Sequence, residues 1–241
     1  GEALFTAMAE AAYTSKLTDV DVSNNGIGPA AASAVASLLR TNKLRRLVLT
    51  SNPLFGPMNG EAPSAINNGG VEEAIRAFAS ALGADSSLKD LQMRACGVGV
   101  SAGAPLGEAL GANRTLESLS LWRNELHGKG GRAMINAMRS NSSLRELDLR
   151  SNALDDEAAV ALHTYLHGRG SRLTSLMISD NMIGPEGAKA IARAWTDNDV
   201  LSSLDVRGNP LDTEAVRALK AARGASMRKK ERPVELLIDD A

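Results

Sequence analysis

Neither sign of charge is in excess in this sequence. Lys plus Arg number 27 and Asp plus Glu 28 among 241 residues, so the basic footprint of a chain that grips phosphate backbones is missing and nucleic acid is not an expected partner. No run approaches the roughly 18 apolar residues of a membrane-spanning helix, so no membrane partner is expected either. A single cysteine, Cys96, leaves no internal disulfide framework and suits a reducing compartment. The cytoplasm is expected first, with nucleus and cilium as further options. Three histidines and that one cysteine leave little material for a Ser/His/Asp or Cys/His set. The expectation is therefore a protein that is not an enzyme, with no cofactor, no metal and no small-molecule substrate. Aromatic residues make up only 3% of the chain, so each of its two tryptophans, Trp122 and Trp195, has to be accounted for.

What the sequence does have is a repeat. Segments that begin at a leucine followed by Leu or Val three residues later start at Leu17, Leu44, Leu88, Leu116, Leu144, Leu173 and Leu201, with spacings of 27, 44, 28, 28, 29 and 28 residues. Removing one insertion from the second interval leaves a period of 27 to 29, at the long end of the leucine-rich range. The L-x-x-L-x-L part alternates as a strand. After it comes Asn25, Asn52, Asn124, Asn152, Asn181 or Asn209, whose side chain can bond backbone left unpaired where the chain turns out of the sheet. Cys96 occupies that slot in the third repeat and is expected to be a small buried residue rather than a nucleophile. An Ala-rich stretch with apolar residues at helical spacing follows, such as "GPAAASAVASLLRTN".

The segments "LTDVDVSNNGIGPAAASAVASLLRTN" and "LTSLMISDNMIGPEGAKAIARAW" resemble the repeats of the ribonuclease-inhibitor-like subfamily of leucine-rich repeat proteins. That resemblance covers about Leu17 to Gly224 and implies an α/β solenoid, a horseshoe with a parallel sheet on its concave face and helices on its convex face. One domain over 1–241 is expected: a helix of a preceding partial repeat over 1–16, seven repeats over about 17–224 with an insertion at 55–70, and a C-terminal cap over 225–241. The helical pattern at the start suggests a piece trimmed from a longer protein. "VELLID" (234–239) is expected to form a last strand, and "RKKER" (228–232) the loop into it. "DDEAAVALHTYL" after Leu154 departs from the pattern by lacking the glycine. Relatives of this repeat type inhibit ribonucleases, stimulate GTP hydrolysis by Ran, cap actin, sense ligands in immune receptors or serve as ciliary scaffolds, so the resemblance implies protein binding and no particular task.

Other chemical candidates fade in register. "GVGVSAG" (97–103) falls where the first repeat reads "GIGPAAA", and no βαβ pair with a following acidic residue at the usual distance surrounds it. His163 and His167 stand one helical turn apart without a matching third ligand, and a histidine near a helix C-terminus suits the helix dipole. Trp195 aligns with Leu39 and is expected in the core. Trp122 has no such place: its column reads Ser23, Thr50, Arg94, Trp122, Arg150, Ser179, Arg207, beside a column of Asp21, Val48, Gln92, Ser120, Asp148, Met177, Asp205, and both are expected on the concave face.

Strands about 4.8 Å apart bring Arg94 and Arg150 within cation–π reach of Trp122. Two readings stay open: the guanidiniums simply cover the indole, or the cluster is a partner hot spot, since Trp and Arg are the types most enriched there. The insertion likewise is either a loop without a role or a second binding surface. The expected function is a non-catalytic interaction module or scaffold that binds another protein through Arg94, Trp122, Arg123, Asp148, Arg150 and Met177, with Phe55 and Met58 on the insertion. The alternatives are a GTPase-activating regulator of a small GTPase and the ligand-sensing repeats of a NOD-like receptor.

Overall fold

Only three residues of each leucine segment enter a strand, because the chain must turn back over itself within one repeat. The structure is a computed structural model describing residues 17–57, 68–167, 171–230 and 233–239. Its strands are β1 (Asp19–Asp21), β2 (Arg46–Val48), β3 (Asp90–Gln92), β4 (Ser118–Ser120), β5 (Glu146–Asp148), β6 (Ser175–Met177), β7 (Ser203–Asp205) and β8 (Glu235–Leu237). All pair in parallel in chain order. Parallel neighbours need crossovers, supplied by α1 (Ala32–Arg40), α2 (Asn68–Ala84), α3 (Gly103–Ala112), α4 (His127–Ala137), α5 (Asp156–His167), α6 (Pro185–Asp197) and α7 (Thr213–Lys230). The result is an α/β leucine-rich repeat solenoid with an open sheet. Register puts Val20, Leu47, Leu91, Leu119, Leu147, Leu176, Leu204 and Leu236 in one row. That row points between the layers, so the residues flanking it line the opposite, concave side.

Two side-chain ladders close the backbone where strands and helices end. In the first, the amide of Asn124 donates to Met93 O and Leu121 O while its oxygen accepts the N–H groups of Cys96 and Val98. Asn52 and Asn181 do the same for their preceding repeats. Cys96 fills the slot only in part. Its thiol donates to Leu49 O at 3.2 Å, but it has no oxygen for the turn of the second repeat, and there Leu54 N–H bonds Asn52 O instead. The rerouted turn is the one from which the insertion departs.

The second ladder sits at the other end of the repeat, three residues before its first leucine. Asn113, Asn141 and Asn198 leave the helix in extended conformation, and their oxygens accept the N–H groups two and three residues on. Asp85 plays the same part for Ser87 and Leu88. Each closes a helix and aims the next strand.

Helix faces follow the sequence periodicity. In α6, Ala188, Ile191, Ala192 and Trp195 are buried, the i, i+3, i+4, i+7 stripe of a core-facing helix, and Pro185 starts it without losing a needed donor. The Trp195 indole is fully buried and donates to Leu201 O at 3.0 Å. Glycine stands on α3 at 103, 107 and 111, where α4 comes closest: a Cβ on Gly107 would lie 2.3 Å from Met134 O. Where "DDEAAV" replaces the glycine, Asp155 accepts Ala158 N–H and Asp156 accepts Gly184 and Gly187 N–H, so carboxylates organise two consecutive helix starts.

Two expectations change, and one is left untested. Asn68–Gly70, placed in the insertion by sequence, already belong to α2. Arg228, Lys229 and Lys230 continue α7 rather than forming a loop, because the Ala-rich run before them carries helical propensity onward. The helix expected over 1–16, the insertion residues 58–67 and with them Met58 lie outside the described residues.

Candidate partner-binding site

Three columns of side chains run across the sheet on its concave side. The first passes through Asp19, Arg46, Asp90, Ser118, Glu146, Ser175, Ser203 and Glu235, the second through Asp21, Val48, Gln92, Ser120, Asp148, Met177, Asp205 and Leu237. The third lies two residues beyond the strands and contains Arg94, Trp122 and Arg150 side by side.

Trp122 is half-buried between two guanidiniums. The Cζ of Arg94 stands 3.6 Å from the ring centroid and that of Arg150 4.2 Å. Both lie well inside the ~6 Å range of a cation–π contact, and the indole N–H reaches Ser151 Oγ at 3.3 Å. The ring thus has both faces covered by arginine, while Arg123, Met177 and the exposed Met182, 66% accessible, belong to the same and nearby repeats.

The two arginines are held differently. Arg150 is clamped by Asp148, Nε to Oδ1 at 2.9 Å and Nη2 to Oδ2 at 2.8 Å, and hydrogen bonding to that carboxylate raises its pKa further. Asp148 is itself buried, with Ser120 Oγ donating to it at 3.0 Å. Expected among the partner contacts, Asp148 instead spends its oxygens on fixing Arg150. Arg207 and Asp205 repeat the clamp at 3.0 and 2.9 Å. Burial pushes the Asp205 carboxyl up, but the bonds from Arg207 outweigh it and leave its pKa below the usual carboxylate value. Arg94 has no such clamp, since Gln92 stands where Asp148 and Asp205 stand and bonds Asp90.

Arg123 is exposed and adopts a left-handed conformation, φ 57°. Asn24, Ser51, Ala95, Ser151, Asp180 and Gly208 occupy the same repeat position and share it, with φ between 49° and 65°. The turn into the asparagine imposes this geometry on whatever residue stands there, so it carries no sequence signal beyond the register itself. Phe55 is the other departure: it is buried, edge-on to Phe78 with centroids 5.3 Å apart, and offers no exposed ring. It anchors the start of the insertion to α2.

Sequence reasoning missed Ser151, Gln92 and Met182. Gln92 was legible as the break in a D-x-R pattern shared by "LDLR" and "LDVR". Elsewhere, burial pushes the Cys96 thiol up to about 12, which suits a structural residue. His163 and His167 stack with centroids 5.9 Å apart at the end of α5, and among the described residues no group of three potential ligands could hold a metal. No described helix is long and apolar enough to cross a membrane.

Comparison with known proteins agrees with the repeat register. Residues 14–36, 112–134, 140–162 and 172–192 match the leucine rich repeat family, and the second of these stretches contains Trp122. No curated protein compared with the sequence matches it significantly. Among solved structures, the chain is similar to actin-binding site 2 of leiomodin-1, at 15% identity and TM-score 0.45, over 58% of this chain and 79% of that one. A Bacteroides fragilis protein is 12% identical at TM-score 0.48, over 91% of this chain and 65% of that one. An internalin from Listeria monocytogenes is 14% identical at TM-score 0.45, over 97% of this chain and 64% of that one. The chain thus spans just under two thirds of the length of the latter two.

Proposed function

We propose that this chain of leucine-rich repeats is a non-catalytic protein-interaction module that binds a partner protein on its concave face around Trp122. One observation carries the reading: a half-buried tryptophan, stacked between Arg94 and Arg150, stands on a sheet face that is mostly polar, with Val48, Met177 and Leu237 as the apolar members of its strand columns. The stack alone would stabilise the fold by only about 0.5 to 1 kcal/mol for each exposed pair, too little to account for placing one of only two tryptophans there. As a binding element it does more, because a rigid aromatic flanked by ordered guanidiniums presents area and donors at low entropic cost. Arg123 and Met177 extend the patch. Asp148 holds Arg150 in place, and residues outside the patch supply complementary shape rather than affinity.

The assay is site-specific photo-crosslinking in cells, with a photoreactive amino acid at position 123 or at Val160, which is 51% exposed on α5. A partner cross-linked from 123 and absent from 160 supports the concave-face reading; the same products from both positions, or products from 160 alone, refute it.

A further inference from the structure

We infer that the partner's contribution to this site is an acidic, extended segment whose carboxylate side chains dock on Arg94. This rests on the concave-face reading above and names the chemistry of what binds there. Arg94, Arg150 and Arg207 share one column. Arg150 and Arg207 are each neutralised by an aspartate two residues earlier, through paired bonds of 2.8 to 3.0 Å. Arg94 has Gln92 in that place, and the Gln92 amide donates to Asp90, which is already paired with Arg46 at 3.0 Å. Among the described residues, neither Arg94 nor Arg123 has a carboxylate within ion-pair distance.

The geometry makes Arg94 ready to receive one. A guanidinium carries five donors in a plane and matches a carboxylate edge-on. With its Cζ 3.6 Å from the indole centroid, the Arg94 guanidinium is held against the ring, and no carboxylate among the described residues pairs with its donors. An arginine already held in place loses less freedom on binding than a free one. Arg123, one residue past Trp122, adds a second cation, and the indole and Met177 offer apolar contact to the residues between the acids. Across the same face, the first column carries Asp19, Glu146 and Glu235, with Asp90 neutralised by Arg46, and disfavours anions. Charge therefore confines an acidic segment to the Arg94 and Arg123 side.

The clamp found in the other repeats supplies the test. Gln92→Asp places a carboxylate where Asp148 and Asp205 stand, closing Arg94 to a ligand without removing the arginine or the stack. Random peptides displayed on phage are selected against the intact chain, and the binders are measured on Gln92→Asp, Arg94→Gln, Trp122→Ala and Val160→Ala, each checked for an intact thermal transition. The expected binders are enriched in Asp and Glu, weaken as salt is raised, and lose roughly tenfold or more in affinity on Gln92→Asp and on Arg94→Gln, while Val160→Ala leaves them unchanged. Binders that need Trp122 but carry no acidic enrichment and ignore Gln92→Asp overturn the acidic-segment inference and leave the concave-face reading standing. Binders indifferent to Trp122→Ala, or no binders at all, overturn both.

Discussion

The asparagine ladder under Trp122 makes unequal demands on two residues that look identical in sequence. Asn124 holds three backbone groups that have no other side-chain partner: its amide meets Met93 O, and its oxygen meets the N–H groups of Cys96 and Val98. Its remaining partners, Leu121 O and Trp122 O, each keep another donor, Asn152 and the Ala95 N–H. Asn152 donates to Leu121 O and Arg150 O, but its buried Oδ1 has no partner. Both of those carbonyls keep another donor, Asn124 and the Arg123 N–H respectively. At about 1 kcal/mol or more for each buried group left unpaired, Asn124→Ala costs about 3 kcal/mol, whereas Asn152→Ala costs about 1. For a chain of this size these become melting-temperature drops of roughly 6–12 °C and roughly 2–4 °C. Asn181, whose oxygen holds Asn152 and Leu154 N–H and whose amide meets Leu149 O, should match Asn124. Thermal and urea unfolding of the three variants reads this directly. Equal losses for Asn124→Ala and Asn152→Ala would refute the reasoning.

Further outcomes follow from the packing and the charges. Gly107→Ala brings a Cβ to 2.3 Å from Met134 O and should cost about 1–3 kcal/mol by forcing α3 and α4 apart; Gly99→Ala, with open space around it, should leave the urea midpoint almost unchanged. With its pKa pushed up to about 12 by burial, the Cys96 thiol should resist a thiol reagent at pH 8 and react only as the chain unfolds in urea. Asp205 has a folded pKa below the usual carboxylate value, so its stabilising contribution is present above about pH 4 and is lost as pH falls through the folded value. Asp205→Asn should therefore flatten the acid limb of a stability-against-pH curve, and an unchanged limb would contradict the assignment.

How much of this was legible in the sequence depends on whether the cause was local. Leucine periodicity reports burial repeat by repeat, so strand order, the core position of Trp195 and the concave position of Trp122 followed from register alone, as did the approach of Arg94 and Arg150. Phe55 was not legible as a core residue, because its partner Phe78 lies across the insertion. The left-handed turn at Ser51, Ala95 and Arg123 was hidden too, since residues of ordinary preference take it under the pull of the neighbouring repeat. Asp148 read as an exposed acid, when its position two residues before Arg150 makes it a clamp. The second ladder of Asn113, Asn141 and Asn198 was readable in principle, three residues before each leucine, but it lies outside the leucine pattern that drew the reading.

On the function proposed above, Trp122 serves binding more than folding. The most direct measurement compares the proteins retained from cells by the wild-type chain and by Trp122→Ala, with circular dichroism and melting temperature taken on the same preparations. The expected result is loss of a retained partner, an unchanged helical spectrum, and a melting temperature lowered by only about 2–8 °C, the worth of two exposed cation–π contacts. Undiminished capture, or a far larger fall in melting temperature with loss of helical signal, would contradict it.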